Sequence, residues 1–143
     1  MNKISGPLLD RIDIQCEISP VPFKDISKAA PGEPSAKIRE RVIEAREIQA
    51  VRFKDFKGIH CNAQMSERMI HQFAEPDEAG VELLRMAMEK LSLSARAYNR
   101  ILKVARTIAD LAGSERVMPD HLAEAIGYRT LDRGDWLRED IFN

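Results

Sequence analysis

The stretch that decides the fold is residues 94–113, which read SARAYNRILKVARTIADLAG. Its apolar residues recur every three or four positions, which is the spacing of one face of an α-helix. The residues that share this face are Tyr98, Ile101, Ala105, Ile108 and Ala112. Ser94 is a suitable N-cap and Gly113 a suitable C-terminal stop. The sequence therefore predicts a long amphipathic helix that packs against other helices.

The opposite side of this helix carries the cations Arg96, Arg100 and Lys103, within a sector of about 60°. Arg96 falls in the first turn, where a cation opposes the helix dipole and costs about 0.3–1 kcal/mol. A local cost of this kind suggests a functional use, such as binding a phosphate. The alternative is an ordinary solvated charged face.

Four further helices are predicted around this one. Ser35 is a suitable N-cap for the first, and the second starts at about Ser66. Pro76 and Pro119 suit the first positions of the other two. The first is expected to reach about Arg52. Its apolar stripe comprises Ile38, Val42, Ala45 and Ile48. Five helices in about 100 residues predict a mainly α fold, a compact helical bundle.

Residues 12–18 differ from the rest of the chain because their apolar residues alternate. Ile12, Ile14, Cys16 and Ile18 fall on one side, which predicts a single half-buried β-strand. A lone strand leaves its backbone groups without ladder partners. We therefore expect either that the chain is a piece of a longer protein, whose sheet lies elsewhere, or that this region is disordered or pairs with another copy.

Composition and spacing give no support for nucleic-acid binding by the whole chain, for a metal site or for membrane association. With 22 basic and 23 acidic residues the net charge is −1, so there is no case for nucleic-acid binding by the whole chain. The two cysteines predict reduced, buried thiols in a cytoplasmic protein. His60, His71 and His121 have no ligand spacing, so no metal site is predicted. No apolar run is long enough for a bilayer, so a membrane is not an expected partner.

Arg11 is the second candidate for chemistry. It follows the Gly6-Pro7 turn and a Leu-Leu pair and immediately precedes the predicted strand. A guanidinium held there could reach into the site of a neighbouring subunit. A salt bridge to Asp10 or Asp13 is an equally good interpretation. The chain has no GxxxxGK[ST] phosphate loop, so we expect no ATP hydrolysis by this chain alone.

Two groups of motifs resemble the magnesium-chelatase-like AAA+ ATPases of the ComM/YifB kind. Residues 3–14, KISGPLLDRIDI, resemble the end of the AAA+ core in that family. Residues 93–98, LSARAY, then 105–111, ARTIADL, and 121–126, HLAEAI, followed by the Tyr128-Arg129 pair, resemble its C-terminal helical lid. The resemblance covers about residues 3–131.

The resemblance implies a role for each matching arginine. Arg11 corresponds to the arginine finger, which acts in trans on the ATP site of a neighbouring subunit. Arg96 corresponds to the sensor-2 arginine, which contacts the γ-phosphate of the subunit's own ATP. Arg100 and Lys103 are candidates for secondary phosphate or DNA contacts. The implied cofactors are ATP and Mg²⁺ in the full-length protein, with none expected on this chain by itself.

The expected partners are the chain's own N-terminal AAA+ core, neighbouring subunits of a hexameric ring, and DNA. The expected division is residues 1–19 as the end of the core, 20–34 as a linker, 35–131 as the lid and 132–143 as a polar tail. The expected function is a nucleotide-sensing lid in a DNA-remodelling motor. Two alternatives remain: a stand-alone helical module that binds DNA or protein, and a true magnesium chelatase ATPase subunit.

Overall fold

The computed structural model describes residues 5–28 and 30–129, and every element within these ranges is helical. The seven α-helices are α1 (Gly6–Leu9), α2 (Phe23–Lys28), α3 (Ser35–Phe53), α4 (Glu67–Phe73), α5 (Glu78–Leu91), α6 (Ala95–Leu111) and α7 (Pro119–Gly127). A 3₁₀ turn, Asn62–Gln64, connects α3 to α4. The predicted mainly α bundle is confirmed.

Helix α6 is the centre of the bundle, and it contacts α3, α4, α7 and the 3₁₀ turn. Its predicted ends are both confirmed. The Ser94 hydroxyl accepts a hydrogen bond from the Ala97 amide at 3.2 Å, which satisfies one of the free N–H groups of the first turn. Gly113 then adopts φ +66°, which ends the helix in the left-handed conformation that glycine tolerates best.

The core lies between the inner face of α6 and helices α4, α5 and α7. Its largest fully buried apolar side chains are Leu84, Leu91, Ile101, Leu122 and Ile126. Burying one side chain of this size contributes about 1.5–3 kcal/mol. Most helical stability here therefore comes from packing of the amphipathic faces.

Two predicted helix starts are wrong by one or two residues. Ser35 is the first residue of α3 instead of its cap, because Pro34 already holds the extended conformation that precedes the helix. Helix α5 begins after Asp77 instead of at Pro76, because the Asp77 carboxylate accepts a hydrogen bond from the Gly80 amide at 2.7 Å. The start at Pro119 is confirmed.

The apolar stripe predicted for the first long helix is largely wrong. Ile38, Val42 and Ile48 are 44%, 40% and 38% exposed, and the buried positions of α3 are Ala45, Gln49 and Phe53. These buried positions are spaced by four residues and lie in the second half of the helix. Only that half packs on α6, so the first half of α3 extends beyond the bundle with all of its residues exposed.

The strand predicted at residues 12–18 is also wrong. This segment is irregular, and the described part of the chain contains no strand that could pair with it. Residues 5–16, here called the arm, instead dock on the end of α7. The Gln15 amide donates a hydrogen bond to the Tyr128 carbonyl at 2.7 Å. The backbone groups that a ladder would have satisfied are thus partly satisfied by the bundle.

The segment after the arm contains α2, which buries none of its residues. It lies inside residues 20–34, the predicted linker. The predicted tail at 132–143 lies outside the described residues, and the division into core, linker and lid stays a prediction.

Candidate functional site

A cavity of about 650 Å³ lies between the arm, the outer face of α6 and the end of α7. It is lined by all three cations that the sequence placed on one sector of the helix. From α6 its lining includes Arg96, Asn99, Arg100, Lys103 and Thr107; from the arm Asp13, Ile14 and Cys16; and from α7 Glu124 and Tyr128. The predicted cluster of Arg96, Arg100 and Lys103 is therefore brought together at one surface.

Arg96 lines this cavity, two residues after the Ser94 cap, and the residue is exposed. Within the described residues its guanidinium has neither a hydrogen bond nor an ion pair. A cation without a carboxylate partner at a helix N-terminus keeps its full capacity to bind an anion. The amides of the first turn would assist such binding.

The other two cations already have protein partners. Arg100, one turn further along α6, donates a hydrogen bond through Nη1 to the Asp13 carboxylate of the arm at 2.5 Å. The Lys103 ammonium donates to the Ala63 carbonyl at 2.9 Å. Only Arg96 is therefore free to take a new ligand without first breaking a described contact.

The far wall of the cavity carries a tyrosine bonded to a carboxylate. The Tyr128 hydroxyl donates to Glu124 Oε1 at 2.6 Å. This hydrogen bond is the main cause that raises the pKa of Tyr128 above its usual value, and partial burial adds to it. The cavity thus has positive side chains on α6, and negative side chains on the arm, from Asp13, and on α7, from Glu124.

Arg11 lies on the arm and is exposed, and it is not part of the cavity lining. Its side chain makes no ion pair with any described residue. The predicted alternative of a salt bridge to Asp13 is wrong, because Asp13 pairs with Arg100. Arg11 thus projects from the arm with its guanidinium available.

The arm is held by Arg129, which the sequence did not single out as a site residue. Arg129 is only 5% exposed, and its two terminal nitrogens donate to the Ile12 and Asp10 carbonyls at 2.6 and 3.1 Å. No sequence pattern marks such a contact, because it joins residues more than 115 positions apart through backbone atoms. The closest signal is the Tyr128-Arg129 pair at the end of the lid resemblance.

Arg106 is a further basic residue of α6, but it lies on the inner face and is 3% exposed. Its guanidinium is 3.0 Å from the buried Asp110 carboxylate and also donates to the carbonyls of Ser114 and Glu115. Burial lowers the pKa of Arg106 below its usual value, although the charge of Asp110 opposes that shift. Its role is structural, and the Arg106/Asp110 spacing of four residues could have indicated a helical ion pair.

The cysteines and histidines provide no site. Cys16 and Cys61 are free thiols as expected, but both are exposed, so the prediction that they are buried is wrong. His121 Nδ1 accepts a hydrogen bond from the Met118 amide at 3.0 Å and so helps to begin α7. Across residues 5–28 and 30–129 no three metal-ligating side chains are grouped together. None of the described helices combines the length and apolar character that crossing a bilayer requires.

Comparison with known proteins agrees with the resemblance in the motifs. Residues 32–129 match the family model described as magnesium chelatase, subunit ChlI C-terminal. The competence protein ComM of Haemophilus influenzae is 41% identical over 93% of this chain and 25% of its own length. YifB of Escherichia coli is 42% identical over 93% of this chain and 26% of its own.

A more distant relative, an uncharacterised protein of Mycobacterium tuberculosis, is 36% identical over 90% of this chain and 25% of its own length. The chain thus spans about a quarter of the length of the curated relatives that it matches. The matched region covers α3 to α7 and includes every residue that α6 contributes to the cavity. The chain belongs to the magnesium-chelatase-like family of ComM and YifB, as a ChlI C-terminal domain.

Proposed function

We propose that this chain acts as the nucleotide-sensing lid of a longer, hexameric AAA+ ATPase, in which Arg96 contacts the terminal phosphate of ATP. The observation that carries the proposal is the placement of Arg96. It is an exposed guanidinium at the N-terminus of a 17-residue helix, beside Arg100 and Lys103. Among the described residues, the Arg96 guanidinium makes no hydrogen bond or ion pair. Binding a phosphate would therefore break no described contact.

The chemistry of this surface suits the phosphate end of a nucleotide. A planar guanidinium can donate two parallel hydrogen bonds to phosphate oxygens, and the N-terminus of α6 adds favourable dipoles. An arginine on a lid contacts ATP and ADP differently, so the lid can report which nucleotide is bound. The described residues offer no group of ligands for Mg²⁺, so no step of the proposal is assigned to the metal.

Arg11 has a second role in this proposal, as the arginine finger that enters the ATP site of the neighbouring subunit. Its exposure on the arm supports that role, since a finger must project from its own subunit. An arginine supplied in trans can raise turnover by about 10³–10⁵. Hydrolysis would then depend on ring assembly.

We further propose DNA as the substrate of the motor, as the resemblance to the ComM/YifB kind implies; one relative carries the name of a competence protein. A stand-alone DNA-binding module is less well supported. Two of the three cations that line the cavity already have protein partners. Arg100 binds the Asp13 carboxylate and Lys103 binds the Ala63 carbonyl. Salt-sensitive DNA binding by the chain, with affinity falling steeply as salt rises, would favour the module instead.

The experiment is an Arg96→Ala substitution in the ATPase, with Arg68→Ala as its matched control. Arg68 is also exposed, and it too is the second residue after a serine-capped helix start, on α4. We expect ATP turnover to fall by about 100-fold or more in Arg96→Ala, the range found on loss of one donor to a developing charge, and to stay at the wild-type level in Arg68→Ala. Wild-type turnover by Arg96→Ala with both variants folded would overturn the proposal.

A further inference from the structure

The two hydrogen bonds from Arg129 lie on either side of Arg11. One terminal nitrogen of the Arg129 guanidinium binds the carbonyl of Asp10 and the other binds that of Ile12. The residue between these two carbonyls is Arg11. The backbone that carries Arg11 is therefore fixed at two points by one buried side chain at the end of α7.

Two further contacts attach the same segment to the bundle. The Gln15 amide donates to the Tyr128 carbonyl, next in the chain to Arg129. Asp13 pairs with Arg100, whose neighbour on the cavity surface is Arg96. The arm is thus bound to α6 and α7 over the whole stretch from Asp10 to Gln15.

We infer that Arg129 is a positioning residue for Arg11, and that it couples Arg11 to the lid. The inference rests on the proposed function and extends it. Because the arm is bound to the bundle, described contacts connect the backbone that carries Arg11 to the helices α6 and α7. A lid that moves when Arg96 gains or loses a phosphate would then move Arg11 as well, relative to the neighbouring subunit's ATP. Nucleotide state in one site would thereby reach the next.

The contact at position 129 uses both terminal nitrogens of an arginine. The guanidinium is a planar fork whose two terminal nitrogens bind carbonyls two residues apart. A lysine keeps the charge but has a single nitrogen at the end of a flexible stem. Arg129→Lys therefore removes the two-point contact while it keeps the positive charge.

The first measurement uses amide hydrogen exchange in the chain itself. In Arg129→Lys the Gln15 amide should exchange at least about 10-fold faster, as its local opening becomes easier. The amides of Ile101 and Ala105, in the middle of α6, should keep their wild-type protection. The control is Arg85→Lys, since Arg85 makes all of its described contacts within α5.

The second measurement uses ATP turnover in the ATPase. Arg129→Lys should lower kcat about 10-fold or more and leave KM for ATP unchanged, because it acts through Arg11 in the neighbouring site. In an Arg11→Ala background the same substitution should have no further effect, since residues that act through one another are not additive.

The outcomes separate this inference from the proposed function. Wild-type turnover by Arg11→Ala would overturn the finger role, and the positioning role of Arg129 with it. If Arg11→Ala slows turnover to a residual, measurable rate but Arg129→Lys has normal kcat, the positioning role alone is overturned. A further loss when Arg129→Lys is added to Arg11→Ala, or unchanged exchange of the Gln15 amide, would also overturn it. The expected combination is slow turnover, unchanged KM, a mobile arm and no additivity.

Discussion

Asp13 and Arg100 form an ion pair, with Asp13 Oδ1 2.5 Å from Arg100 Nη1, and both residues line the cavity beside α6. The two side chains are 53% and 35% exposed, so water screens the pair and its strength is modest. Its position matters more than its energy. It brings an acidic residue from the arm next to the surface where we propose that a phosphate binds, and so places a competing anion there.

Neutralising this competitor should strengthen phosphate binding. Asp13→Asn releases Arg100 while leaving the size of the side chain almost unchanged. An exposed pair is worth about 0.2–1 kcal/mol, so we expect the affinity of the chain for tripolyphosphate to rise by about 1.5- to 5-fold. Isothermal titration calorimetry at low salt measures this change. Weaker binding by Asp13→Asn would show that Asp13 assists the site instead of competing for it.

Asp110 should be the most sensitive polar residue of the core. Its carboxylate is fully buried and binds the guanidinium groups of Arg52 and Arg106 and the amide of Asn62. Asp110→Asn removes the charge and leaves two cations in or near the interior without compensation. We expect the free energy of unfolding to fall by about 3–5 kcal/mol, measured by urea denaturation.

The control for Asp110 is Glu82→Gln, which removes a carboxylate from an exposed ion pair with Arg85 on α5. The free energy of unfolding should be the same as in the wild type. Equal losses in the two variants would mean that net charge, and not the buried network, decides stability.

Gly80 tests the packing between α5 and α7. A Cβ atom built there would lie 2.7 Å from Leu122 Cδ1 and 2.8 Å from Pro76 Cβ, which is closer than side chains pack. Gly80→Ala should therefore destabilise the protein by about 1–3 kcal/mol, although alanine normally favours a helix. Thermal unfolding measures the change.

Gly127 provides the matched comparison, because a Cβ there meets no atom within 4 Å. Gly127→Ala in α7 should stabilise by up to about 1 kcal/mol, as expected for a glycine replaced in a helix. If Gly80→Ala also raised the melting temperature, this would contradict the close packing of α5 against Leu122 at position 80.

Tyr128 should titrate above its ordinary pKa of 10.0, because its hydroxyl is bonded to Glu124. A raised pKa in the folded state means that this contribution to stability is complete below about pH 10, the unfolded value, and is lost as pH rises through the folded pKa. The chain has two tyrosines, so absorbance at 295 nm in the Tyr98→Phe background reports Tyr128 alone. Glu124→Ala should lower the midpoint, and an unchanged midpoint would exclude the hydrogen bond as the cause.

The sequence predicts the bundle better than it predicts the arm, for a physical reason. Helices α6 and α7 are specified locally, by Ser94, Gly113 and Pro119 and by apolar positions at helical spacing. The alternation at residues 12–18 is a local signal too, but a strand requires a partner that local sequence does not contain. The arm instead contacts α6 and α7, through residues more than 80 positions away.

The cluster of Arg96, Arg100 and Lys103 was predictable from the sequence, whereas its contacts with other parts of the chain were not. One helix carries Arg96, Arg100 and Lys103, so periodicity alone places them together. Their different partners were not predictable, because Asp13 and Ala63 come from other parts of the chain. Arg129 was missed for the same reason. The exposed half of α3 was also missed, since the stripe of Ile38 and Val42 gives no sign of where the bundle ends.

The most direct test of the account mixes two inactive variants of the ATPase, Arg11→Ala and Arg96→Ala. In a mixed ring, an Arg11→Ala subunit keeps Arg96 for its own ATP and receives Arg11 from an Arg96→Ala neighbour. With equal amounts and random assembly, about a quarter of the sites contain both arginines, so we predict that about a quarter of wild-type turnover returns. No gain in turnover on mixing, with mixed rings formed, would contradict the assignment of the two arginines to adjacent ATP sites.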